Sequence, residues 1–267
     1  MKKYILSALA LVIILTGTIS CKKFLERPPE GQLTEEEALK TEADLLAFSN
    51  GIYTLLGNDD FLGGRHQLLT ELLGDEYKGD RFVGDPSEIF RRQNSFFGGT
   101  RDGYYNKGYV IILRANITLK NISIAATAKN RIEGEARFFR GLAHFELVRL
   151  FAQPWGFTND NSHLGIPLRT QFSLESLNRS TVKEVYDLVI SDLLAADSLL
   201  PDAPANGKYY SATKWAAKAY LAKVYFQQNN FAKAYQYANE VIESNKFILD
   251  ATFDKRFSKG LSTEGIM

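Results

Sequence analysis

The stretch Ser211 to Glu243, SATKWAAKAYLAKVYFQQNNFAKAYQYANEVIE, decides the fold. Two runs of good helix formers flank Asn229-Asn230, a dipeptide suited to a tight turn. Trp215, Ala219, Ala222 and Phe226 mark the first helix, with Ser211 as its cap, and Ala234, Ala238, Val241 and Ile242 mark its partner. Ala222, Tyr225, Phe231, Ala234 and Ala238 stand at relative offsets 0, 3, 9, 12 and 16, those of the small and aromatic positions of a tetratricopeptide repeat. Small residues let two helices approach closely, and aromatics fill the gap to the next repeat. The expectation is an all-α, tetratricopeptide-like helical repeat scaffold.

Upstream, the same periodicity recurs between long irregular loop insertions. Thr181 and Glu184 form a capping box, and Val185, Leu188, Val189, Leu193, Ala196 and Leu200 follow as an apolar stripe ended by Pro201. A helix over about 130–152 carries Ile132, Ala136, Phe139, Ala143, Leu147 and Leu150, and ends near Pro154-Trp155-Gly156. With the 181–200 helix it makes a second, loop-interrupted repeat pair that matches the template less well. Tyr105, Tyr109, Ile112, Asn116 and Leu119 follow a 4-3-4-3 pattern. An amide at Asn116 on an apolar stripe predicts a buried side chain that holds backbone groups of a neighbouring loop. Residues 57–108 hold ten of the twenty glycines with no sustained period, and read as one long irregular region. Before it, Thr34 and Glu37 form another capping box, read as opening a helix with Leu45, Phe48, Ile52 and Leu55 that stops at Gly57.

The N-terminus has a different logic. Lys2 and Lys3 precede an apolar run from Ile5 to Leu15, then the small-residue stretch Thr16 to Ser20, then Cys21. Positive, apolar and small segments in that order form a secretory signal, and an eleven-residue apolar run is too short to span a bilayer. Cys21 is the chain's one cysteine and sits where a lipoprotein signal peptidase would cut, making it the first residue of a lipid-anchored protein. Thr18 stands where Leu is usual in such a signal, so an ordinary secretory signal with an unrelated cysteine is the alternative. Residues 1–20 then form the lipoprotein signal, 21–33, with Pro28, Pro29 and Gly31, an extended tether, and 34–267 the helical domain.

Composition narrows the function classes. Net charge is +1 over the whole chain and −1 once residues 1–20, with Lys2 and Lys3 and no acid, are removed. Nucleic acid needs a basic surface to replace counterions, and none is indicated. With Cys21 committed to lipid, no thiolate metal site or disulfide remains, and His66, His144 and His163 lack metal-ligand spacing. No metal or cofactor is expected. Nor is there a G-x-S-x-G elbow, an H-E-x-x-H helix, a P-loop or a G-x-G-x-x-G turn, so an enzyme is not expected.

Several segments resemble, in order, the SusD/RagB family of outer-membrane nutrient-binding lipoproteins. Cys21-Lys22-Lys23-Phe24-Leu25-Glu26 with Pro28 is similar to the family's mature start. Tyr109, Ile112 and Asn116 in YVIILRAN match its Y-x-x-I-x-x-x-N helix, and EARFFRGLAHFELVRLF (Glu135 to Phe151) resembles its most recognisable helix. Gly165-Ile166-Pro167-Leu168, then Arg179 to Pro201 and Ser211 to Phe226, complete the series. Family members run to about twice this length, so the chain reads as an N-terminal half. The resemblance implies a surface lipoprotein at the outer membrane. It would capture oligosaccharides or other large nutrients and pass them to a TonB-dependent transporter of the SusC type, breaking no bond.

Candidate ligand contacts are Tyr77, Arg81, Tyr104 and Tyr105, in or beside the Gly-rich region, where aromatic faces and a guanidinium suit sugar rings. The plainer reading is that Tyr104 and Tyr105 pack the start of a helix. Trp155, with Phe157, is a further candidate, set against a loop anchored in the core. Asp75, Glu76, Asp80 and Asp85 lack calcium-loop spacing and read as a solvated or structural set. Glu135, Arg137 and Arg140 read as helix-surface or inter-helix ion pairs. Two other function classes stay open: a helical-repeat scaffold of an envelope complex that binds no nutrient, and, on the plentiful carboxylates alone, a surface glycosidase.

Overall fold

The computed structural model describes residues 34–77, 81–93, 98–173, 175–205, 210–252, 254, 262 and 264–266. Cys21, the signal and the tether therefore lie outside the described residues, as does Asp80. The chain divides into two units, Met1–Lys40 and Thr41–Met267. In the first, the Thr34–Glu37 capping box is present in both directions, but it opens only the one-turn helix α1, Glu35–Ala38. The second unit opens its own helix with its own box. Thr41 Oγ1 accepts from the Asp44 N–H and Asp44 accepts from the Thr41 N–H, starting α2, Glu42–Leu56. The single helix expected from Thr34 to Gly57 is thus two, because Thr41-Glu42-Ala43-Asp44 repeats the same start signal seven residues on.

Beyond α2 the described helices are α3 (Arg65–Leu73), α4 (Asp85–Phe90), α5 (Gly99–Lys120), α6 (Lys129–Phe151), α7 (Val182–Leu199), α8 (Lys214–Gln227) and α9 (Phe231–Glu243), with a 3-10 turn over Ile122–Ile124. Among the described residues there is no strand, only an isolated antiparallel bridge between Leu164 and Thr181. Successive helices pack on one another, α2 on α5, α5 on α6, α6 on α7, α7 on α8 and α8 on α9. The tetratricopeptide-like all-α scaffold holds. Its most extensively packed pair is α6–α7, the pair that matched the repeat template less well. The long loop between those two helices interrupts the sequence pattern without separating the helices.

α6 is the hub. Leu142, Phe139, Phe145 and Leu147 are fully buried, and polar residues on the same helix, Glu135, Arg140, His144 and Glu146, are buried with them. A helix buried on all sides lacks an amphipathic stripe. Close packing around it relies on missing side chains. A Cβ at Gly108 of α5 would stand 2.9 Å from Leu147, and one at Gly141 would stand 3.3 Å from the Asp192 Cβ of α7.

Two expectations are corrected here. Residues 57–108 are not one irregular region: they contain α3, α4 and the first ten residues of α5. The glycines mark helix ends instead, with Gly57 and Gly74 as C-caps and Gly64, Gly84 and Gly98 as N-caps. Thr213, not Ser211, stands at the N-cap position of α8 and makes no side-chain cap bond, and the helix's buried face includes Ala217, Leu221, Val224 and Tyr225. Phe226, one of the residues that mark this helix in the sequence, is 58% exposed against Phe231. A helix apolar on both faces hides its inner face from a periodicity argument. The Asn229-Asn230 turn is as expected: Asn229 takes φ +59° and Asn230 caps α9 by accepting from the Lys233 N–H.

Candidate functional site

The sequence candidates fall mainly around α3, α4 and the start of α5. Arg65 of α3 donates to the Gly99 and Thr100 carbonyls at 2.8 and 3.1 Å and pairs with Asp60 at 3.0 Å, while Asp85 accepts from the Thr100 N–H at 2.6 Å. The start of α5, which has no side-chain cap of its own, is thereby fixed from α3 and α4. Arg92, at φ +56°, ties the ends of α3 and α4 together, donating to the carbonyls of Leu73 and Phe90 at 3.1 Å each and to Asp75 at 2.8 Å. Asp75 is thus structural, as its spacing suggested. Among the described residues no cluster of His, Cys, Asp and Glu could hold a metal ion.

On this frame Tyr77, Phe82 and Phe90 form an aromatic ridge, with centroids 5.6 and 5.9 Å apart in sequence. Tyr77 is 42% exposed, and a hydrogen bond to the Glu71 carboxylate pushes its phenol above its ordinary pKa. Arg81 is exposed on the same segment. A cleft of about 210 Å³ has an apolar floor that includes Leu69, Leu73 and Phe151, with Arg92, Gln93 and Arg101 supplying polar groups. Tyr105 is half-buried, its ring 4.9 Å from Phe151, so it backs the cleft without facing it.

Tyr104 is a correction. It is fully buried, stacked on Phe61 at 4.7 Å, and its hydroxyl is bonded to His66 Nδ1 at 3.0 Å. With no exposed face it offers no sugar platform and packs the start of α5, the plainer of the two readings. Beneath it Glu146, fully buried, holds Arg149 at 2.7 Å and Lys223 at 2.9 Å, joining α6 to α8. Trp155 is half-buried against Tyr186 of α7 at 5.0 Å, apart from the ridge, whereas Phe157 is 61% exposed.

A buried polar node lies under the loop between α6 and α7, and of its members sequence reasoning missed Asp192 and the place of His144. Arg140 grips Asp192 of α7 with two bonds, Nε at 2.7 Å and NH2 at 2.8 Å. Its NH1 donates to Asn116 Oδ1 at 2.9 Å and to the Thr170 carbonyl at 3.2 Å. Asn116 donates to the Arg169 carbonyl at 3.1 Å, and Tyr109, seven residues earlier on α5, donates to the Pro167 carbonyl at 2.8 Å. Fully buried His144 bonds the Arg140 carbonyl at 2.9 Å through Nδ1 and lies 3.4 Å from the Arg169 N–H through Nε2. Those contacts need a neutral ring with the proton on Nδ1, and burial pulls its pKa down to about 4. From the other side Arg179 donates to the Gly165 and Leu164 carbonyls at 2.6 and 2.9 Å. The expected role of Asn116 is therefore what the structure has. Arg140 forms an inter-helix pair as read, and its partner is Asp192, one position before Leu193 on the apolar stripe of α7. The Tyr109–Asn116 spacing and the Gly165–Leu168 segment are two halves of one loop clamp.

Comparison with known proteins follows the same lines. Residues 23–226 match the SusD-like family described as "Starch-binding associating with outer membrane". A SusD-like protein of Formosa agariphila is 31% identical over 265 residues, which are 96% of this chain and 48% of that protein. Among solved structures, a SusD superfamily protein of Bacteroides thetaiotaomicron is 29% identical with a TM-score of 0.68, over 80% of this chain and 49% of that one. A putative sugar binding protein of Bacteroides vulgatus shares the fold at 22% identity, with a TM-score of 0.71 over 85% of this chain and 53% of that one. The chain spans about half the length of the relatives it matches.

Proposed function

Since the chain belongs to the SusD-like family, we propose that it captures oligosaccharides at the outer membrane and passes them to a TonB-dependent, SusC-like transporter without breaking a bond. The observation that supports this reading is the exposed Tyr77 on an aromatic ridge beside a cleft carrying Arg92, Gln93 and Arg101. Aromatic faces pack on the C–H faces of pyranose rings, and amide and guanidinium groups hydrogen-bond their hydroxyls. Tyr77 and Arg81 are the contacts on this ridge; Tyr105 supports it through Phe151, and Trp155 serves the α6–α7 loop. Residues 1–20 act as the signal, Cys21 carries the lipid, 21–33 is the tether and 34–267 is the binding domain. Among the described residues no helix is long and apolar enough to cross a membrane.

The test is calorimetric titration of the protein with starch fragments and other oligosaccharides. Tyr77→Ala should weaken binding about tenfold, the loss of roughly 1.4 kcal/mol, with the melting temperature unchanged. An unaltered affinity removes the ridge from the site. Recovery of a TonB-dependent transporter with the protein from outer membranes tests the delivery step. A scaffold role has one supporting observation, the exposed Phe226, Phe231, Tyr235 and Ile242 on α8 and α9. A protein that binds no carbohydrate while co-purifying with an envelope complex would favour it.

A further inference from the structure

The loop between α6 and α7 is held more firmly than a connection requires. Buried or half-buried side chains of α5 and α6 hydrogen-bond the carbonyls of Pro167, Arg169 and Thr170 from within. The loop then closes on itself: the Arg169 guanidinium donates to the carbonyls of Ser173 and Glu175, each at 2.9 Å. Thr170, Gln171 and Phe172 are thereby the tip of a turn tied on both sides. All three point to solvent, and Phe172 is 43% exposed.

The tip does not pack onto the neighbouring helix. Between it and the last turns of α5 lies a cleft of about 480 Å³, walled by Asn116, Leu119 and Lys120 on one side and Thr170, Gln171 and Phe172 on the other. Small-molecule sites run from roughly 300 to 1,000 Å³ and combine apolar walls with a few placed polar groups. Here an aromatic ring and Leu119 offer apolar surface, while a hydroxyl, an amide and an ammonium supply donors and acceptors. Because the tip is fixed before any ligand arrives, little conformational entropy is left to lose on binding.

We infer that this cleft is a second carbohydrate subsite, in which a pyranose ring packs on Phe172 and hydrogen-bonds Gln171 and Thr170. It is built by α5 and the α6–α7 loop and shares no lining residue with the cleft beside the Tyr77 ridge. The inference rests on the carbohydrate reading above and extends it: two separate contacts on one protein hold a long glycan through effective concentration, where each alone is weak.

The test is titration of the intact protein with maltotriose, cellotriose, xylotriose and mannotriose, which are too short to bridge distant sites. The expected result is two binding events for at least one of them. Phe172→Ala and Gln171→Ala, both exposed positions, should each weaken one event about tenfold, while Tyr77→Ala weakens the other. If Phe172→Ala and Gln171→Ala both keep every affinity while Tyr77→Ala loses one, the second subsite is wrong and the ridge stands. If only the loop variants lose affinity, the subsite stands and the ridge does not. Failure of all four trisaccharides to bind overturns both. Unchanged melting temperatures of the variants separate lost contact from lost fold.

Discussion

Arg140 and Glu135 lie five residues apart on α6, both charged and both buried, yet their surroundings are opposite. Arg140 meets a carboxylate in fork geometry, an amide oxygen and a carbonyl, so nearly every donor it brings inside is used. Glu135 meets no fork of donors, only one cation and one hydroxyl. Its nearest cation, Arg131, stands 3.7 Å away, and the Tyr53 hydroxyl faces it while accepting from the Ala212 N–H. Burial and partnership are separate variables. The well-partnered charge organises three helices and a loop; the weakly partnered one has its pKa shifted upward by desolvation, against the opposing pull of Arg131 and the Tyr53 hydroxyl.

The contrast is broken most severely at Asp192. Asp192→Ala strands the Arg140 guanidinium in the core, and removal of one partner of a buried pair costs about 3–5 kcal/mol. Chemical denaturation should show a loss of that size. A double variant, Arg140→Met with Asp192→Leu, should recover part of the stability but leave Asn116 Oδ1 and the Thr170 carbonyl without their donor. The α6–α7 loop would then exchange its amide hydrogens faster than in the parent. A double variant with full loop protection would show that packing, not the charge node, holds the loop.

Next in size is the pH response of His144. Its folded pKa is about 4, below the ordinary 6.5. As pH falls, the unfolded chain takes up the proton first, so stability present above pH 6.5 is lost as pH drops toward 4. At 1.36 kcal/mol per unit the loss is roughly 3 kcal/mol. His144→Gln should flatten the stability curve across that window relative to the parent, and an equally steep curve would assign the slope to other groups. Smaller again is Asn116→Ala. It removes a donor to Arg169 and an acceptor of Arg140, and should cost about 1–3 kcal/mol. Tyr109→Phe, losing one bond to the Pro167 carbonyl, should cost about 1 kcal/mol.

These residues also show what a sequence can and cannot disclose. Asn116 was legible because an amide on the apolar stripe with Ile112 and Leu119 has no cheap place to go except a backbone partner. The capping boxes at Thr34 and Thr181 were legible because their chemistry is local, and the repeat pair because helix contacts of that kind have fixed spacing. Asp192 was not, since an acid next to Leu193 reads as an amphipathic edge until a partner 52 residues earlier is placed opposite it. Tyr104 and Tyr105 are adjacent and alike in sequence, yet one is fully buried and the other only half so. The tip at Thr170–Phe172 carried no sequence signal, because its exposure depends on a clamp contributed by α5 and α6.

The finest test falls on Glu135. Its folded pKa is raised, so the stabilising state is the protonated one. That contribution is complete below the unfolded value and is lost as pH rises through the raised folded value, the reverse of the His144 case in direction. Glu135→Gln keeps the shape and cannot ionise. The variant should match the parent in acid and equal or exceed it at pH 7, where the parent must either keep a proton or bury a charge. Arg131, which is partly exposed, loses only a distant partner at 3.7 Å. Denaturation midpoints of the two proteins between pH 4 and 8 decide the matter. If Glu135→Gln is less stable than the parent and the gap widens with pH, the Glu135 carboxylate is a partnered anion, and the difference between the two charges of α6 disappears.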